Sequence, residues 1–193
     1  MYEYIYGAIA LATPSYAVID CHGVGYKLEI TINTYGQIKD LKDVKLLVHY
    51  VVREDAHLLF GFFEEAEREM FRQLITISGV GVNTARVMLS TLTAGELKEA
   101  ILTQNVKAIQ AVKGIGAKSA QRIILEMQDK VGKMGEGTLG VLFESNKNLD
   151  EALSALVMLG FPKAAADKAL QAVNKKQPNL TVEELIKHAL KAL

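Results

Sequence analysis

The sequence has a single cysteine, no long apolar run and no excess of charge of either sign. Cys21 has no partner for a disulfide within the chain, which fits a reducing cytoplasm. A transmembrane helix needs about 18 consecutive apolar residues, and no such run is present, so no membrane span is expected. Met1–Tyr4 lack the basic start of a signal peptide, and we therefore expect a cytoplasmic protein.

Patterns for metal, nucleotide and nucleophilic sites are also missing. Lys118 does not belong to a P-loop, because Ala117 stands where that loop requires a glycine directly before the lysine. Cys21 has no supporting motif for nucleophilic catalysis. The histidines lack a second ligand at metal-binding spacing; they are His22, His49, His57 and His188. We expect no catalytic residue, no metal and no cofactor, and an ATP-driven motor would be another protein.

The net charge of zero hides an uneven distribution of charge along the chain. Residues 1–62 contain 5 Lys or Arg against 7 Asp or Glu, whereas residues 70–132 contain 8 against 4. Overall neutrality argues against a protein that coats nucleic acid by bulk charge. The locally basic middle of the chain predicts instead a protein that contacts nucleic acid at chosen points.

The apolar pattern changes its period near residue 63. Residues 1–62 contain five β-branched or aromatic runs separated by turn signals, of which 33–36 is one. They predict a closed five-stranded barrel of the OB type. Residues 63–132 follow a helical period, and acidic residues from Glu64 onward favour a helix start there. The fold class is therefore α+β with several domains.

The last part of the chain is predicted to be a separate helical bundle. Glycine-rich sequence without periodicity predicts a flexible linker over 133–147. Residues 148–193 predict three helices, the third starting with a capping box of Thr181 and Glu184. The loop Leu159–Phe161 resembles that of ubiquitin-associated (UBA) three-helix domains, which implies a UBA-like fold and not ubiquitin binding. Four apolar residues favour a bundle core, with a partner-binding surface as the alternative: Leu156, Leu159, Phe161 and Leu170.

Two motifs of the predicted helical domain repeat each other. Ser78–Ala85 and Lys113–Ala120 both contain Gly-aliphatic-Gly-x-x-Ser/Thr-Ala between two apolar helical runs. After such a glycine turn, the next helix starts with backbone N–H groups that have no intrahelical partner. These donors and the helix dipole favour an anion such as a phosphate oxygen. One copy would be explained as an ordinary helix end, but the repeat predicts two matched phosphate-binding hairpins.

The repeat resembles the helix-hairpin-helix motif, which binds DNA phosphates through the hairpin backbone. In the second hairpin Lys118 and Arg122 are one helical turn apart and can face the same DNA strand. In the first hairpin Asn83 takes the place of that lysine, so we expect weaker binding there. The predicted DNA-binding residues are Gly79, Gly81, Asn83, Thr84, Arg86, Gly114, Gly116, Lys118, Ser119 and Arg122.

The order of these parts resembles the RuvA family of Holliday-junction-binding proteins over essentially the whole chain. The most specific matches are Val51–Ala56, Gly79–Gly81, Gly114–Gly116 and Leu185–Leu190. The resemblance implies a homotetramer with one subunit per junction arm, and two tetramers able to enclose one junction. It also implies that the C-terminal bundle binds the hexameric ATPase RuvB, and that RuvC resolvase joins a larger complex.

Glu54 and Asp55 lie between two predicted strands. From the residues alone they fit either a solvated turn or a site that repels phosphates. The resemblance implies the second role, because they match the acidic pin that helps guide strands apart at the tetramer centre. The sequence departs from the family where Pro or Lys is usual, and the departures remove positive charge: Val82, Asn83 and Ala117.

The resulting hypothesis is a non-catalytic protein that binds four-way junctions without regard to sequence, holds them open and loads RuvB for branch migration in recombination and repair. One alternative is a repair enzyme of glycosylase or nuclease type. Asp129 is the first aspartate after the second hairpin, and no carboxylate cluster for metal-assisted cleavage is present. The other alternative is a general helix-hairpin-helix adaptor, which would bind linear duplex as well as a junction.

Overall fold

The structure is a computed structural model that describes residues 2–133, 144–177 and 180–193. These residues belong to two compact units, unit 1 over Met1–Glu136 and unit 2 over Gly137–Leu193. No helix within the described ranges is both long enough and apolar enough to cross a membrane. The predicted linker falls mainly on 134–143, outside the described residues, while its two ends, Lys133 and 144–147, are helical.

Unit 1 begins with a closed five-stranded barrel, as predicted. Its strands are β1 (Tyr4–Ala12), β2 (Tyr16–Cys21), β3 (Val24–Glu29), β4 (Asp43–Val52) and β5 (His57–Phe62). They are joined in the order β1-β2-β3-β5-β4, with β3 and β5 parallel and the neighbouring pairs antiparallel. Alternate side chains point inward, so closure covers an apolar core and leaves no free sheet edge.

A helix, α1 (Ile32–Ile38), joins β3 to β4 where the sequence predicted a turn at 33–36. Thr31 caps this helix, because its Oγ1 accepts a hydrogen bond from the Thr34 backbone N–H at 2.9 Å. Ile38 at the other end is fully buried in the barrel core. The turn prediction was wrong because polar residues that favour turns also favour helix starts, and the buried Ile38 decides between them.

Five further helices complete unit 1: α2 (Glu65–Leu74), α3 (Val82–Thr91), α4 (Ala94–Leu102), α5 (Val106–Gln110) and α6 (Ala117–Lys133). Their apolar faces share one core with the end of β5. Phe71 of α2 packs against Phe60 and Phe62, with ring centroids 5.2 and 4.9 Å apart. The predicted barrel and the predicted helical domain therefore meet across a common aromatic contact.

Glu67 of α2 is buried where the helix meets the barrel. Its carboxylate accepts hydrogen bonds from the hydroxyls of Thr31 at 2.5 Å and Thr34 at 2.7 Å. Burial raises the pKa of Glu67 above its ordinary value, and the two hydroxyl hydrogen bonds oppose that rise. This one side chain therefore joins α2 to the start of α1.

Arg68, the next residue, is buried as well and binds several groups at once. Its guanidinium donates three hydrogen bonds to Glu65, from Nε to Oε1 at 3.1 Å and from Nη2 to Oε1 and Oε2 at 3.0 and 2.7 Å. It also pairs with the Glu3 carboxylate at 2.5 Å and donates to the Glu3 backbone oxygen at 2.9 Å. A longer bond of 3.4 Å reaches the Val48 backbone oxygen of β4. Arg68 thus ties α2 to β4 and to the residue before β1.

Unit 2 is a bundle of three helices, as predicted: α7 (Glu144–Met158), α8 (Lys163–Lys176) and α9 (Val182–Leu190). Leu156, Leu170 and Leu185 are at the centre of its small core. The predicted capping box is confirmed, since Thr181 accepts from the Glu184 backbone N–H and Glu184 accepts from that of Thr181. Short alanine-rich faces allow the three helices to pack closely.

We predict that Glu67→Gln becomes more stable relative to the wild type as the pH rises. The folded-state pKa of Glu67 is raised, so its stabilising contribution is complete below about 4.5 and is lost as the pH passes the folded-state pKa. A glutamine does not ionise, and its amide oxygen still accepts a hydrogen bond. We expect the free energy of unfolding of the wild type minus that of the variant, measured in urea from about pH 4 to about pH 8, to fall as the pH rises.

Glu99→Gln, at an exposed position of α4, is the matched control. The same fall in the control would assign the effect to net charge. A difference that stays constant with pH at Glu67 would contradict the proposed cost of burying its charged form.

Candidate nucleic-acid interface

Both predicted hairpins are present, one between α2 and α3 and one between α5 and α6. The first glycine of each has a positive φ, 89° at Gly79 and 91° at Gly114, which is the left-handed region that favours glycine. Each loop is closed by a backbone hydrogen bond between residues three apart, at 3.0 Å in the first hairpin and 3.1 Å in the second. The sequence repeat is therefore a repeat of backbone conformation.

The residue between the two glycines anchors each hairpin. Val80 and Ile115 are buried in the shared core of unit 1. The following glycines, Gly81 and Gly116, are exposed, and the space where a Cβ would stand is open. One aliphatic side chain thus anchors each hairpin to the core, and the glycine backbone beside it faces solvent.

Unpaired backbone donors follow directly after these glycines. Ala85 N–H and Ala120 N–H donate to the carbonyl oxygens of Gly81 and Gly116, each at 2.9 Å, and start the helical hydrogen-bond pattern of α3 and α6. The three amides before each of these positions precede that pattern. Both hairpins therefore offer several N–H groups at the positive end of a helix dipole, where an anion is stabilised.

The fold brings the two hairpins together. An open cleft of about 210 Å³ is lined by Ile77–Val80 of the first hairpin and by Lys118, Ser119 and Arg122 of α6. The first hairpin has Asn83 in place of its own lysine, yet the cations of the second hairpin stand beside its loop. Lys118 and Arg122 thus lie on the same face of α6, and this face is directed to the first hairpin.

The two cations of the cleft differ in their surroundings. Lys118 is exposed and makes no ion pair within the described residues. Arg122 forms an exposed pair with Glu126 of the same helix, with Nε and Oε1 2.6 Å apart. Exposed pairs of this kind contribute little to stability, so an incoming phosphate can replace the carboxylate. Both side chains can therefore serve an anion in the cleft.

The remaining predicted residues differ in exposure. Asn83 and Ser119 are exposed beside the unpaired amides, and Thr84 is half-buried. Arg86 has turned away from solvent: its guanidinium pairs with the Glu29 carboxylate of β3 and donates to the Ser15 backbone oxygen at 3.2 Å. A phosphate contact by Arg86 would require this ion pair to open.

Glu54 and Asp55 occupy the tip of the β4–β5 hairpin. The turn is closed by a hydrogen bond of 2.8 Å from Arg53 N–H to the Ala56 carbonyl oxygen. Both carboxylates are exposed, and neither forms an ion pair with a described side chain, Arg53 included. The structure therefore presents two neighbouring negative charges on a short, hydrogen-bonded turn.

The four apolar residues singled out in unit 2 separate into two groups. Leu156 and Leu170 are fully buried and hold the bundle together, and the half-buried Phe161 packs against them. Leu159 is 62% exposed, because α7 ends at Met158 and a positive φ at Gly160 turns the chain away. Met158 itself is 89% exposed, and the sequence analysis missed it. The signal was its place outside the i, i+4 series of buried residues in α7.

Sequence comparison finds matches along the whole chain. Three family models match in the order of the observed parts: "RuvA N terminal domain" at residues 1–61, "SAM-like Helix-hairpin-helix tandem" at 71–129 and "RuvA, C-terminal domain" at 147–193. Curated relatives named Holliday junction branch migration complex subunit RuvA include those of Parabacteroides distasonis, 48% identical over 197 residues, Christiangramia forsetii, 46% over 193, and Bacteroides thetaiotaomicron, 44% over 201. Each of these matches covers 100% of both chains.

We predict that Gly79→Ala and Gly114→Ala each lower the free energy of unfolding by about 1–2 kcal/mol, the cost of a Cβ in the left-handed region. Crowding is not the cause, since no atom lies within 4 Å of either Cβ position. Gly95→Ala, in the first turn of α4 with a negative φ, is the matched control and should raise the free energy by about 0.5 kcal/mol. Urea unfolding measures all three, and equal losses at the three sites would contradict the strain argument.

Proposed function

The chain belongs to the RuvA family, and from this premise we propose that it binds four-way DNA junctions without regard to sequence, as a subunit of a branch-migration complex. The observation that carries the proposal is the cleft between two matched hairpins, lined by Lys118 and Arg122. The relatives named above are themselves described as subunits of a Holliday junction branch migration complex. The protein's own role is to bind DNA, while the motor is a separate ATPase.

The hairpins hold the phosphate backbone of a duplex arm. The amides after Gly81 and Gly116 donate to phosphate oxygens, and the open space over both glycines lets the strand approach closely. Lys118, Arg122 and the hydroxyl of Ser119 add charge and a further donor on the same face. Contacts to phosphates do not depend on the base sequence. A protein that binds a moving junction needs such contacts, because the bases at the junction change as it moves.

Assembly multiplies these contacts. A homotetramer places one subunit on each arm, so that its hairpins contact all four arms at once, and a second tetramer can cover the opposite side. Linked weak sites bind far more tightly together than singly when the geometry allows simultaneous contact. The first hairpin, which lacks a lysine of its own, contributes through this addition.

Glu54 and Asp55 act as the acidic pin at the centre of the assembly. Their carboxylates are exposed and unpaired within the described residues, so their charge is available to repel phosphates. A short hydrogen-bonded turn holds them in place. They keep the strands of the crossover apart while the hairpins hold the arms.

Unit 2 binds the hexameric ATPase RuvB. The exposed apolar side chains at the end of α7, Met158 and Leu159, support this assignment because they are neighbours, and exposed apolar groups that form a patch favour a protein contact. Leu156 and Leu170 serve the fold of the bundle instead. RuvC as a further partner stays a prediction of the family resemblance.

The proposal is tested by gel-shift titration on a fixed four-way junction and on a linear duplex of equal length, with the mass of the free protein measured in parallel. We expect the junction to bind more tightly, a tetramer in solution, and no cleavage product with magnesium. Lys118→Ala with Arg122→Ala should weaken junction binding and reduce the salt slope by about 0.9 for each phosphate that the protein no longer neutralises.

Lys39→Ala with Lys42→Ala, at exposed positions of the barrel part, removes the same charge and is the matched control. A similar loss in the control would assign the effect to net charge and not to the cleft. Equal affinity of the wild type for junction and linear duplex would favour the general adaptor, and a cleavage product would favour the repair enzyme.

For the pin, we predict that Glu54→Gln with Asp55→Asn keeps or raises junction affinity, because it removes repulsion without removing a contact. The control is Asp40→Asn with Glu99→Gln, which neutralises two exposed carboxylates elsewhere. It should change the affinity less than the pin variant does. A large loss of junction affinity in the pin variant would show that the two acids support the fold or the assembly instead.

A further inference from the structure

Arg86 belongs to the helix that starts at the first hairpin, but its side chain is directed to the barrel. It pairs with Glu29 at the end of β3 and donates to the Ser15 carbonyl oxygen at 3.2 Å. The Ser15 oxygen also accepts from the backbone N–H of Ile30 at 3.1 Å, so the acceptor is itself held by the barrel. The Arg86 guanidinium therefore binds two groups of the barrel, one of which is also fixed by a backbone hydrogen bond.

Two further polar contacts hold the C-terminal end of α3. Asn33 of α1 donates from its side-chain amide to the Leu89 carbonyl oxygen at 2.5 Å. The Ile32 backbone N–H donates to the Ser90 hydroxyl at 3.2 Å. Together with the Arg86 contact at the middle of the helix, they attach α3 to β3, to the loop before β2 and to α1. The direction of α3 sets the direction of the unpaired amides at its start.

The ion pair is partly shielded from water. Arg86 and Glu29 side chains are each 24% exposed, so solvent and salt screen their attraction less than at an open surface. Glu29 also binds Lys27 through its other oxygen at 3.2 Å, and Lys27 is 59% exposed. Glu29 thus lies between two cations, and its carboxylate already occupies the hydrogen-bonding groups of Arg86 that a phosphate would need.

We propose that Glu29 and Arg86 are a positioning pair that sets the first hairpin against the barrel, and that Arg86 does not contact DNA. The proposal rests on the proposed DNA-binding function and replaces the assignment of Arg86 as a phosphate ligand. The first hairpin has Asn83 where the second has Lys118, so it depends on backbone amides. Such contacts act only when their donors are held within about 0.5 Å of the productive position.

The competing role of Arg86 makes the opposite prediction. If Arg86 bound phosphate, Glu29 would be its competitor, and Glu29→Gln would release the cation and raise DNA affinity. If the pair positions the hairpin, Glu29→Gln removes the ion pair that holds α3 and so lowers DNA affinity. Affinity does not rise, because the released Arg86 does not contact DNA. Glutamine has the same shape as glutamate, so this variant changes the charge with little effect on packing.

The test measures junction affinity and its salt slope for Glu29→Gln in three backgrounds: wild type, Gly81→Val and Gly116→Val. A Cβ at either glycine is in open space, and a valine there is expected to block a strand from approaching that hairpin. We expect Glu29→Gln to weaken binding by about three- to ten-fold in the wild type and in Gly116→Val, and to have no effect in Gly81→Val. The salt slope should stay unchanged.

A merely structural role would lower affinity equally in all three backgrounds and would overturn the proposal. Higher affinity with Glu29→Gln, or a smaller salt slope with Arg86→Gln, would overturn it in favour of a phosphate contact. Exchange of the two charges, Glu29→Arg with Arg86→Glu, should restore affinity, because Lys27 is mostly exposed and can turn away from the new arginine. A failure of this exchange to recover affinity, with the stability to urea recovered, would also count against it.

The positioning test is separate from the test of the proposed function. Its comparisons apply to linear duplex as well as to the junction, since both use the hairpins. Equal binding of both DNAs by the wild type would therefore contradict the junction preference while leaving the dependence on the first hairpin measurable.

Discussion

Two adjacent charged residues of α2 are buried against the barrel, and the position of α2 on the barrel depends on their contacts. A buried charge destabilises a fold unless partners replace the water it loses. Glu67 finds hydroxyl donors in Thr31 and Thr34, and Arg68 finds the carboxylates of Glu3 and Glu65 with two backbone oxygens. Apart from Glu65, these partners lie on α1, on β4 and next to the start of β1, so they restrict how α2 packs on the barrel, and the first hairpin follows α2 in the chain.

The two hairpins combine the same backbone conformation with different side chains. Both have the same glycine conformation, the same buried aliphatic anchor and the same start of the next helix. They differ in side chains, since the second supplies Lys118 and the first supplies Asn83. The fold compensates for this difference by placing α6 beside the first loop, so that one set of cations lines a cleft shared by both hairpins. A basic surface thus arises in a chain with no net charge.

Outside the cleft, the β4–β5 hairpin and unit 2 each have exposed side chains of a distinct kind. The carboxylates of Glu54 and Asp55 stay exposed on a short turn, whereas Glu29 is consumed by Arg86 and Lys27. In unit 2 the core is small and alanine-rich, and large apolar side chains at the end of α7 remain in solvent. These exposed groups and the cleft are the positions at which we propose contacts with other molecules.

Features whose physics is local could be predicted from the sequence. Five strands follow from β-branched and aromatic runs, the hairpin turns from glycines that can adopt a positive φ, and the capping box from Thr181 and Glu184 three residues apart. Tertiary structure decided what depends on partners distant along the chain. Thr31 and Glu67 are 36 residues apart, and Glu29 and Arg86 are 57 apart. No local pattern distinguishes a helix start from a turn at 33–36, or an arginine that binds phosphate from one that binds a carboxylate, because the partner that decides each case comes close only when the chain has folded.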